Sequence, residues 1–350
     1  MTYCCHRHPV YYDSKKIIVK GVRMEGHVKD FIMNIESGEM QVHKNLAIVP
    51  LYMNGNGGTA YITLKEALEK GTLTVTEVTE GGTVPELKVI NKADIAVLLL
   101  DGEELAGAKQ NRVLNTTVLI AAHSETVIPV SCTEHGRWSY TSSEFRDSDV
   151  IMAYNIKRKK AQSVMRNVRE SGRFMSDQSE VWDDIQAMSD NAKVHSHTGS
   201  MKDVFESKEH ELDDYLKAIT LMPNQKGMIV MINGALMGFD ILSLGSAYSV
   251  LHPKLLKSFA MEALLDKKKR AIVPLAAIAK GFLQDVLSCE DTKHKSVGLG
   301  WDYRFEGKEK VGSALVHEDK IIHMAFFTLA ESEKIGNMSG FRQRRGYRTK

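Results

Sequence analysis

Side chains that could carry out chemistry are concentrated in residues 101–138, which we call the polar stretch. It contains Asp101, Glu103, Glu104, Gln110, Asn111, Arg112, Asn115, His123, Cys132, Glu134, Arg137 and Trp138. On an extended strand, Gln110 and Arg112 would share one face, while Asn111 and Asn115 would share the other. Because at most one face of a sheet packed on a core is solvated, the buried set needs hydrogen-bond partners or a ligand.

One interpretation of the polar stretch is catalytic. Glu103 or Glu104 would act as general base toward water and His123 as the acid, since paired carboxylates can divide these roles when their environments separate their pKa values. Adjacent strand residues point to opposite sides, so the two glutamates share a pocket only if the turn after Asp101 bends them together. Cys132 could be a nucleophile with His123 as its base, or simply a buried small residue.

A second interpretation is ligand binding, which requires only a pocket with a few convergent polar groups. Arg112 or Arg137 would hold a phosphate, and Trp138 would stack on a ring or pack in the core. The expected ligand-binding residues are Gln110, Asn111, Arg112, Asn115, Arg137 and Trp138. A third interpretation is structural. Glu103 or Glu104 would form a bidentate ion pair with Arg112 or Arg137, and Asn115 would tie down a turn.

Composition excludes several classes of protein. The chain has 350 residues, of which 26% are charged and 43% hydrophobic, and its formal net charge is +2. This balance argues against nucleic acid as a partner, and no apolar run has the length of a membrane span. The four cysteines show no disulfide framework, which favours thiols in a reducing, cytoplasmic compartment. No Gly-rich dinucleotide fingerprint or Walker loop is present, so the cofactor stays unknown.

Histidine and cysteine residues outside the polar stretch predict no metal site. The N-terminal Cys4, Cys5, His6 and His8 could bind a metal, but no second cluster follows at zinc-site spacing, and terminal mobility favours disorder. The pair His195 and His197 is interpreted as part of an exposed loop.

Strand-like segments separated by turn residues dominate residues 15–140, and helical periodicity marks residues 148–221. We therefore predict an α+β fold of antiparallel sheets, built from hairpins, with an inserted helical segment. The predicted organisation is an N-terminal segment (1–43, partly unassigned), a β-rich part carrying the polar stretch (44–147), a helical segment (148–222), an α+β part packing on the first (223–330) and a basic flexible tail (335–350).

Three hairpins are predicted. The first pairs residues 113–121 with residues 126–132, and Pro129 places its return strand at an edge or bulge. The second turns at Asn233-Gly234, and the third at residues 318–320. Helices are expected at residues 254–265 and 274–286. The basic helix at residues 154–173 would present a solvated face, or else meet an acidic partner or phosphate.

The polar stretch also supports a family resemblance. It contains Asp-Gly-Glu-Glu-Leu at 101–105, Gly-Ala-Lys-Gln-Asn-Arg at 107–112, His-Ser at 123–124, Ile-Pro-Val-Ser-Cys at 128–132 and Gly-Arg-Trp at 136–138. This string resembles the ARG and Rhodanese-Phosphatase-superfamily-associated protein domain family. Segments at residues 178–182, 233–240, 253–258 and 314–323 also resemble that family, so the resemblance covers roughly residues 44–327.

The resemblance implies a setting more than a reaction, because the family is named for its genomic company with ADP-ribosylglycohydrolases and rhodanese or phosphatase-like proteins. That company implies a prokaryotic stress or defence context. We expect a cytoplasmic protein that binds or senses a small nucleotide-like ligand related to ADP-ribose or NAD. Hydrolysis of such a ligand is the alternative, and a structural or assembly role, in which apolar hairpin edges pair in a homo-oligomer, is a further one.

Overall fold

The computed structural model describes residues 22–55, 58–79, 85–266 and 276–329. The helices are α1 (Gly26–Met33), α2 (Leu64–Glu69), α3 (Tyr154–Ser171), α4 (Gln178–Ala192), α5 (Met201–Ser207), α6 (Glu209–Ala218), α7 (Gly245–Leu265) and α8 (Ala276–Val286). The strands are β1 (Val22–Arg23), β2 (Glu36–Ser37), β3 (Gln41–His43), β4 (Leu46–Tyr52), β5 (Tyr61–Thr63), β6 (Leu73–Glu77), β7 (Glu86–Asn91), β8 (Ala96–Leu99), β9 (Glu103–Gly107), β10 (Arg112–Leu114), β11 (Val118–Ile120), β12 (Ser124–Cys132), β13 (Phe145–Ile151), β14 (Gly227–Ile232), β15 (Ala235–Leu242), β16 (Glu290–Lys295), β17 (Trp301–Glu306), β18 (Lys310–His317) and β19 (Lys320–Thr328). The α+β prediction is confirmed.

The largest sheet joins the two ends of the described chain. Its strand order is β1-β16-β17-β18-β19-β15-β14-β4-β2, with β3 also on β4. One face packs on α1 and α8 through Phe239, Phe282 and Phe326. The other face packs on α7 and on the helical segment through Tyr154 and Phe259. The sheet is therefore buried on both sides, which explains the nearly continuous apolar sequences of β14 and β19.

The polar stretch lies in two smaller sheets. One has the order β13-β9-β10-β12-β7-β6, and its outer strands β13 and β6 also contact each other. These strands wrap around an apolar core that includes Leu105, Leu114 and Val130. The other sheet, β11-β8-β5, contains one parallel pair, because Ile62 of β5 pairs with Val97 of β8 in the parallel direction.

Two of the predicted hairpins are confirmed. β14 and β15 pair around Asn233 and Gly234, whose φ angles of 50° and 74° are those of a hairpin turn with two left-handed residues. β18 and β19 pair around Glu318 and Asp319, which also have positive φ. All four strands lie inside the large sheet, so both edges of each hairpin are paired within the chain.

The first predicted hairpin is wrong in part. Residues 113–121 do not form one strand, because β10 ends at Leu114 and the next strand, β11, pairs with β8. Of the two strands β10 and β11, only β10 pairs with β12. Pro129 lies on an interior strand, not at the predicted edge. It is the last β12 residue paired with β7, and β10 is the neighbour that pairs with the next residue, Val130. The missing proline N–H therefore falls where the strand changes partner.

Two helices differ from the sequence prediction. α7 begins at Gly245 and continues through Pro253, because its buried residues, Leu251 and Leu255 among them, pack on both sides of the proline. α3 is basic but not solvated on its whole face, since Lys157, Arg158 and Lys160 are buried.

Several expectations fall on residues outside the described ranges. These are the N-terminal Cys/His cluster, Pro274 and the basic tail at 335–350. The division at residues 43, 147 and 222 stays a prediction, and the pairing of β4 with β14 crosses it. Within the described residues, no helix combines the length and apolar character needed to cross a membrane.

Candidate functional site

A tight turn between β9 and β10 brings the residues of the polar stretch together. Gly107 has φ of 135°, and a Cβ there would lie 2.8 Å from the carbonyl oxygen of Glu144, so only glycine fits. Ala108 follows with φ of 42°. The chain then reverses, and Arg112 pairs with Leu105 on the neighbouring strand.

Glu103 is held in a buried ion-pair cluster. Its Oε1 accepts from Lys254 Nζ at 2.6 Å, and its Oε2 accepts from the Leu100 backbone N–H at 2.7 Å. Lys254 also donates to both oxygens of Asp147 at 2.9 Å. Burial raises the pKa of Glu103, while the Lys254 ammonium opposes that rise. All the hydrogen-bonding capacity of Lys254 is directed at these carboxylates, so the cluster is closed.

Glu104 lies on the opposite face of β9 and has a different environment. Its Oε1 accepts from Thr133 Oγ1 at 2.5 Å, whereas its Oε2 is buried without a hydrogen-bond partner. Burial raises the pKa of Glu104 to about 7. The two adjacent glutamates therefore do not share a pocket, as the alternation of strand side chains requires.

His123 is far from both glutamates. It occupies the exposed turn before β12, with φ of 51°, and its Nε2 lies 2.7 Å from Asp94 Oδ1. Thr133, the partner of Glu104, follows the other end of β12. At about 3.3 Å per residue, ten residues of extended chain separate His123 from Thr133 by roughly 30 Å. The structure does not bring His123 together with Glu103, Glu104 or the thiol of Cys132.

Arg112 is fully buried at one end of the small core. Its Nη1 donates to the Gln110 backbone oxygen at 3.3 Å and to Gln110 Oε1 at 3.1 Å. Its Nη2 lies 3.5 Å from Glu77 Oε1. Burial raises the pKa of Glu77, although Arg112 opposes this, and burial also raises the pKa of Cys132. The thiol is therefore not activated for nucleophilic attack. Sequence reasoning missed Glu77, which is 35 residues before Arg112.

Arg137 ties the β9–β10 turn to the segment that follows β12. Its Nε and Nη2 donate to Glu134 Oε2 at 2.9 and 2.6 Å. Nη2 also donates to Asn111 Oδ1 at 3.2 Å, and Nη1 donates to the Ala108 and Ser139 carbonyl oxygens. The Glu134 pKa is lowered because Arg137 and other hydrogen-bond donors outweigh burial. The guanidinium is used within the protein, so Arg137 and Asn111 hold the turn in place.

Trp138 and Tyr140 follow Arg137 and are each 51% exposed. The Lys109 Nζ lies 5.4 Å from the Trp138 ring centroid and 5.0 Å from the Tyr140 ring centroid. We call these three residues the aromatic surface. Trp138 is therefore not a core residue, and it lies beside the cation that precedes Gln110 in the turn.

Comparison with known proteins identifies the family. A model of the ARG and Rhodanese-Phosphatase-superfamily-associated Protein domain matches residues 34–327. The chain belongs to this family. No curated protein and no solved structure matches the sequence. The family match begins about ten residues before the resemblance seen in the sequence, and it includes both small sheets and nearly all of the large one.

Asn115, which the sequence analysis expected to bind the ligand, lies apart from the aromatic surface. Its Nδ2 donates to the Phe174 carbonyl oxygen at 3.2 Å, and its Oδ1 accepts from Ser131 at 2.8 Å. Ser131 also bonds to Ser176 at 2.6 Å. Asn115 thus fixes the segment after α3 against β12, which is the role of tying down a turn that the sequence suggested.

The chain contains a second buried polar network that sequence analysis did not anticipate. Thr117 Oγ1 lies 2.9 Å from His323 Nδ1, and His323 Nε2 lies 3.1 Å from Asp240 Oδ1. Lys157 Nζ donates to the same Asp240 oxygen at 3.2 Å, and Lys160 binds Asp101. The two buried lysines of the basic helix α3 therefore have buried acidic partners within the protein. The spacing of Lys157 and Lys160, on one face with Tyr154, was the available signal.

Two surface cavities lie near neither glutamate. One, of about 460 Å³, includes Pro129 and Phe174, and the other, of about 350 Å³, includes Phe31 and Met53. Neither is lined by Glu103, Glu104 or Arg112. Among the described residues, no group of three or more His, Cys, Asp and Glu side chains could hold a metal ion.

Proposed function

We propose that this protein binds a small nucleotide-derived ligand, of the ADP-ribose or NAD kind, at the aromatic surface. The observation that carries the proposal is the position of the Lys109 ammonium between the exposed rings of Trp138 and Tyr140. A base would stack on one of the rings, and a phosphate would bind Lys109. Stacking of a base on an aromatic side chain is worth about 1–3 kcal/mol.

The immobilised backbone beneath the aromatic surface supports the same proposal. Arg137 donates to the Ser139 carbonyl oxygen between the two rings, and Thr141 N–H donates to the Ala108 carbonyl oxygen beside Lys109. The segment that carries the two rings and the residue before Lys109 are thus held together at the β9–β10 turn. A preformed site loses little conformational entropy when a ligand binds.

Gln110 and Arg112, which are buried, would contribute polar groups to the same site from inside the protein. Gln110 is almost completely buried. Its Nε2 donates a long hydrogen bond of 3.5 Å to the His135 carbonyl oxygen. Its Oε1 accepts from Arg112. A ligand group that displaces the Gln110 amide would reach Arg112, whose buried Nε has no hydrogen-bond partner and whose Nη2 has only the ion pair with Glu77. Asn111 and Arg137 would then act by holding the turn, and Asn115 would act elsewhere.

The family relationship supports the ligand class and the setting. The name of the family associates the domain with ARG and with the rhodanese-phosphatase superfamily. We propose an intracellular, prokaryotic setting of stress or defence, in which the protein senses the ligand. The hydrolytic alternative has less support, because Glu103 is paired with Lys254 and His123 is at the far end of β12. The assembly alternative has less support because the apolar hairpins are interior to the large sheet.

Ligand titration with purified protein tests the proposal. ADP-ribose, NAD and AMP would be titrated by calorimetry, with product analysis of each mixture. We expect binding without turnover, and a loss of affinity of about tenfold or more in Trp138→Ala, since stacking contributes about 1–3 kcal/mol. Lys109→Ala should weaken binding most at low salt, because it removes a phosphate contact.

Lys44→Ala is the matched control, because the Lys44 ammonium lies 5.0 Å from the Tyr215 ring centroid in a different part of the chain. It should leave affinity unchanged. Absence of binding across the panel, or wild-type affinity in Trp138→Ala, would contradict the proposal.

A further inference from the structure

A cavity of about 460 Å³ separates the β7–β12 strand pair from the segment that follows α3. Its lining residues are Pro85, Glu86, Val127, Ile128, Pro129, Gly172, Arg173, Phe174, Met175 and Val297. We call it the Arg173 cavity. It shares no residue with the aromatic surface, and its volume is within the range of small-molecule sites, about 300–1,000 Å³.

The walls of the Arg173 cavity are held by hydrogen bonds. α3 ends at Ser171, and the φ of 72° at its C-cap Gly172 reverses the chain. The Phe174 carbonyl oxygen then accepts from Asn115, and the Met175 carbonyl oxygen accepts from Asn167 at 2.6 Å. On the facing wall, Pro129 has no N–H, so it presents no unsatisfied donor to an apolar ligand.

Apolar side chains are left exposed at the mouth of this cavity. Val127 is 43% exposed and Met175 is 36% exposed, although each belongs to a segment that is otherwise fixed. Ile128 and Phe174 behind them are buried. An apolar ligand that covered Val127 and Met175 would remove their surface from water, and this would favour binding.

Arg173 supplies the one cationic side chain in the lining. The two preceding arginines of this helix have acidic partners, since Arg166 lies 3.5 Å from Glu180 and Arg169 lies 2.7 Å from Glu306. Arg173 has no ion pair or hydrogen bond of its side chain among the described residues, and it is exposed. Glu86, on the opposite wall, is exposed on β7, where its carboxylate is solvated.

We propose that the Arg173 cavity binds a small carboxylic acid with an apolar body, such as a medium-chain fatty acid. The apolar part lies against Val127 and Met175, and the carboxylate forms a paired hydrogen bond with the Arg173 guanidinium. This site is independent of the proposed nucleotide site. Glu86 repels the carboxylate weakly through solvent and so sets the direction in which the ligand lies.

Methyl NMR with octanoate tests the proposal on the full chain. Octanoate should shift the methyl signals of Val127, Met175 and Val297 in a saturable manner. Arg173→Gln should weaken its binding by about tenfold, because a charge-assisted bidentate contact is lost. 1-Octanol should bind the wild type about as weakly as octanoate binds the variant. Glu86→Gln should strengthen octanoate binding.

Two further variants separate this site from general attraction of octanoate to the protein. Arg166→Gln, on the same helix but outside the cavity, should leave binding unchanged. Val127→Trp fills the mouth from an exposed position and should abolish the methyl shifts at Val297. The proposal is overturned if octanoate binds Arg173→Gln as well as the wild type, if Glu86→Gln weakens binding, or if the shifted methyl groups lie elsewhere.

Discussion

The Lys254 Nζ lies 2.6 Å from Glu103 Oε1, although Lys254 of α7 and Glu103 of β9 are 151 residues apart in the chain. Both side chains are buried, and Lys254 also binds Asp147. Burial alone would lower the pKa of Lys254, but the two carboxylates raise it. The pair joins the helix beneath the large sheet to the small sheet that carries the polar stretch.

Removing this lysine should destabilise the fold strongly. Lys254→Met leaves two buried carboxylates without their cation, so we expect the free energy of unfolding to fall by about 3–5 kcal/mol. Urea unfolding measures the change. Lys44→Met is the control, since Lys44 and Asp214 form an exposed pair that should contribute less than about 1 kcal/mol. Equal losses in the two variants would show that the buried pair has no special weight.

The pKa of Glu104, raised to about 7 by burial, predicts a pH dependence of stability. Between pH 5 and pH 8 the unfolded chain has already lost this proton, whereas the folded chain still holds it at the lower end. Stability from this group is therefore lost as pH rises through 7. Glu104→Gln removes this loss, so its stability relative to the wild type should increase across that window by about 1–3 kcal/mol. Parallel pH profiles of the two proteins would contradict the assignment.

His252 predicts a dependence of the opposite sign. Burial lowers its pKa to about 4, and its Nδ1 lies 3.1 Å from the Tyr248 hydroxyl. The unfolded chain binds a proton near pH 6.5, while the folded chain excludes it, so stability falls as pH decreases from about 6.5 to 4. His252→Gln should flatten the stability profile in this acid window. Chemical unfolding at several pH values provides the measurement, and an unchanged acid slope would refute the prediction.

Arg137 should control the order of the segment that carries the aromatic rings. Arg137→Lys keeps the charge but loses the fork that reaches Glu134, Asn111 and two backbone oxygens, so we expect a loss of about 1–3 kcal/mol. Limited proteolysis should then cleave near residues 138–144 more rapidly. Arg146→Lys, at an exposed position on β13, is the control. Equal cleavage rates in both variants would show that Arg137 does not hold this segment.

Local chemistry explains why some parts of the fold were predictable. The Asn233-Gly234 turn requires two left-handed residues, which these residues tolerate, and the apolar character of β14 and β15 completes the hairpin. Asp177 caps α4 by accepting from the Ser179 and Glu180 N–H groups, as a helix start signal predicts. Such signals act within a few residues, so no tertiary information is needed.

The break between β10 and β11 could not be predicted in the same way. Residues 113–121 are continuously apolar apart from Asn115, Thr116 and Thr117, and either one strand or two satisfies that pattern. The choice depends on β8, which lies outside this segment and pairs with β11. Thr117 then bonds to His323 in the large sheet. Partners 206 residues apart leave no mark in the local sequence.

The sequence by itself determined the class of fold, the family and the concentration of polar groups at residues 101–138. That Glu103 and Glu104 point in opposite directions was decided by the structure, because β9 begins at Glu103 and side chains alternate along a strand. Tertiary structure alone decided their partners: Lys254 for Glu103, Thr133 for Glu104 and Glu77 for Arg112. It also decided that Trp138 is exposed and that His123 is distant. Composition and periodicity depend on neighbours in the chain, whereas burial and ion pairing depend on which distant strands and helices pack together.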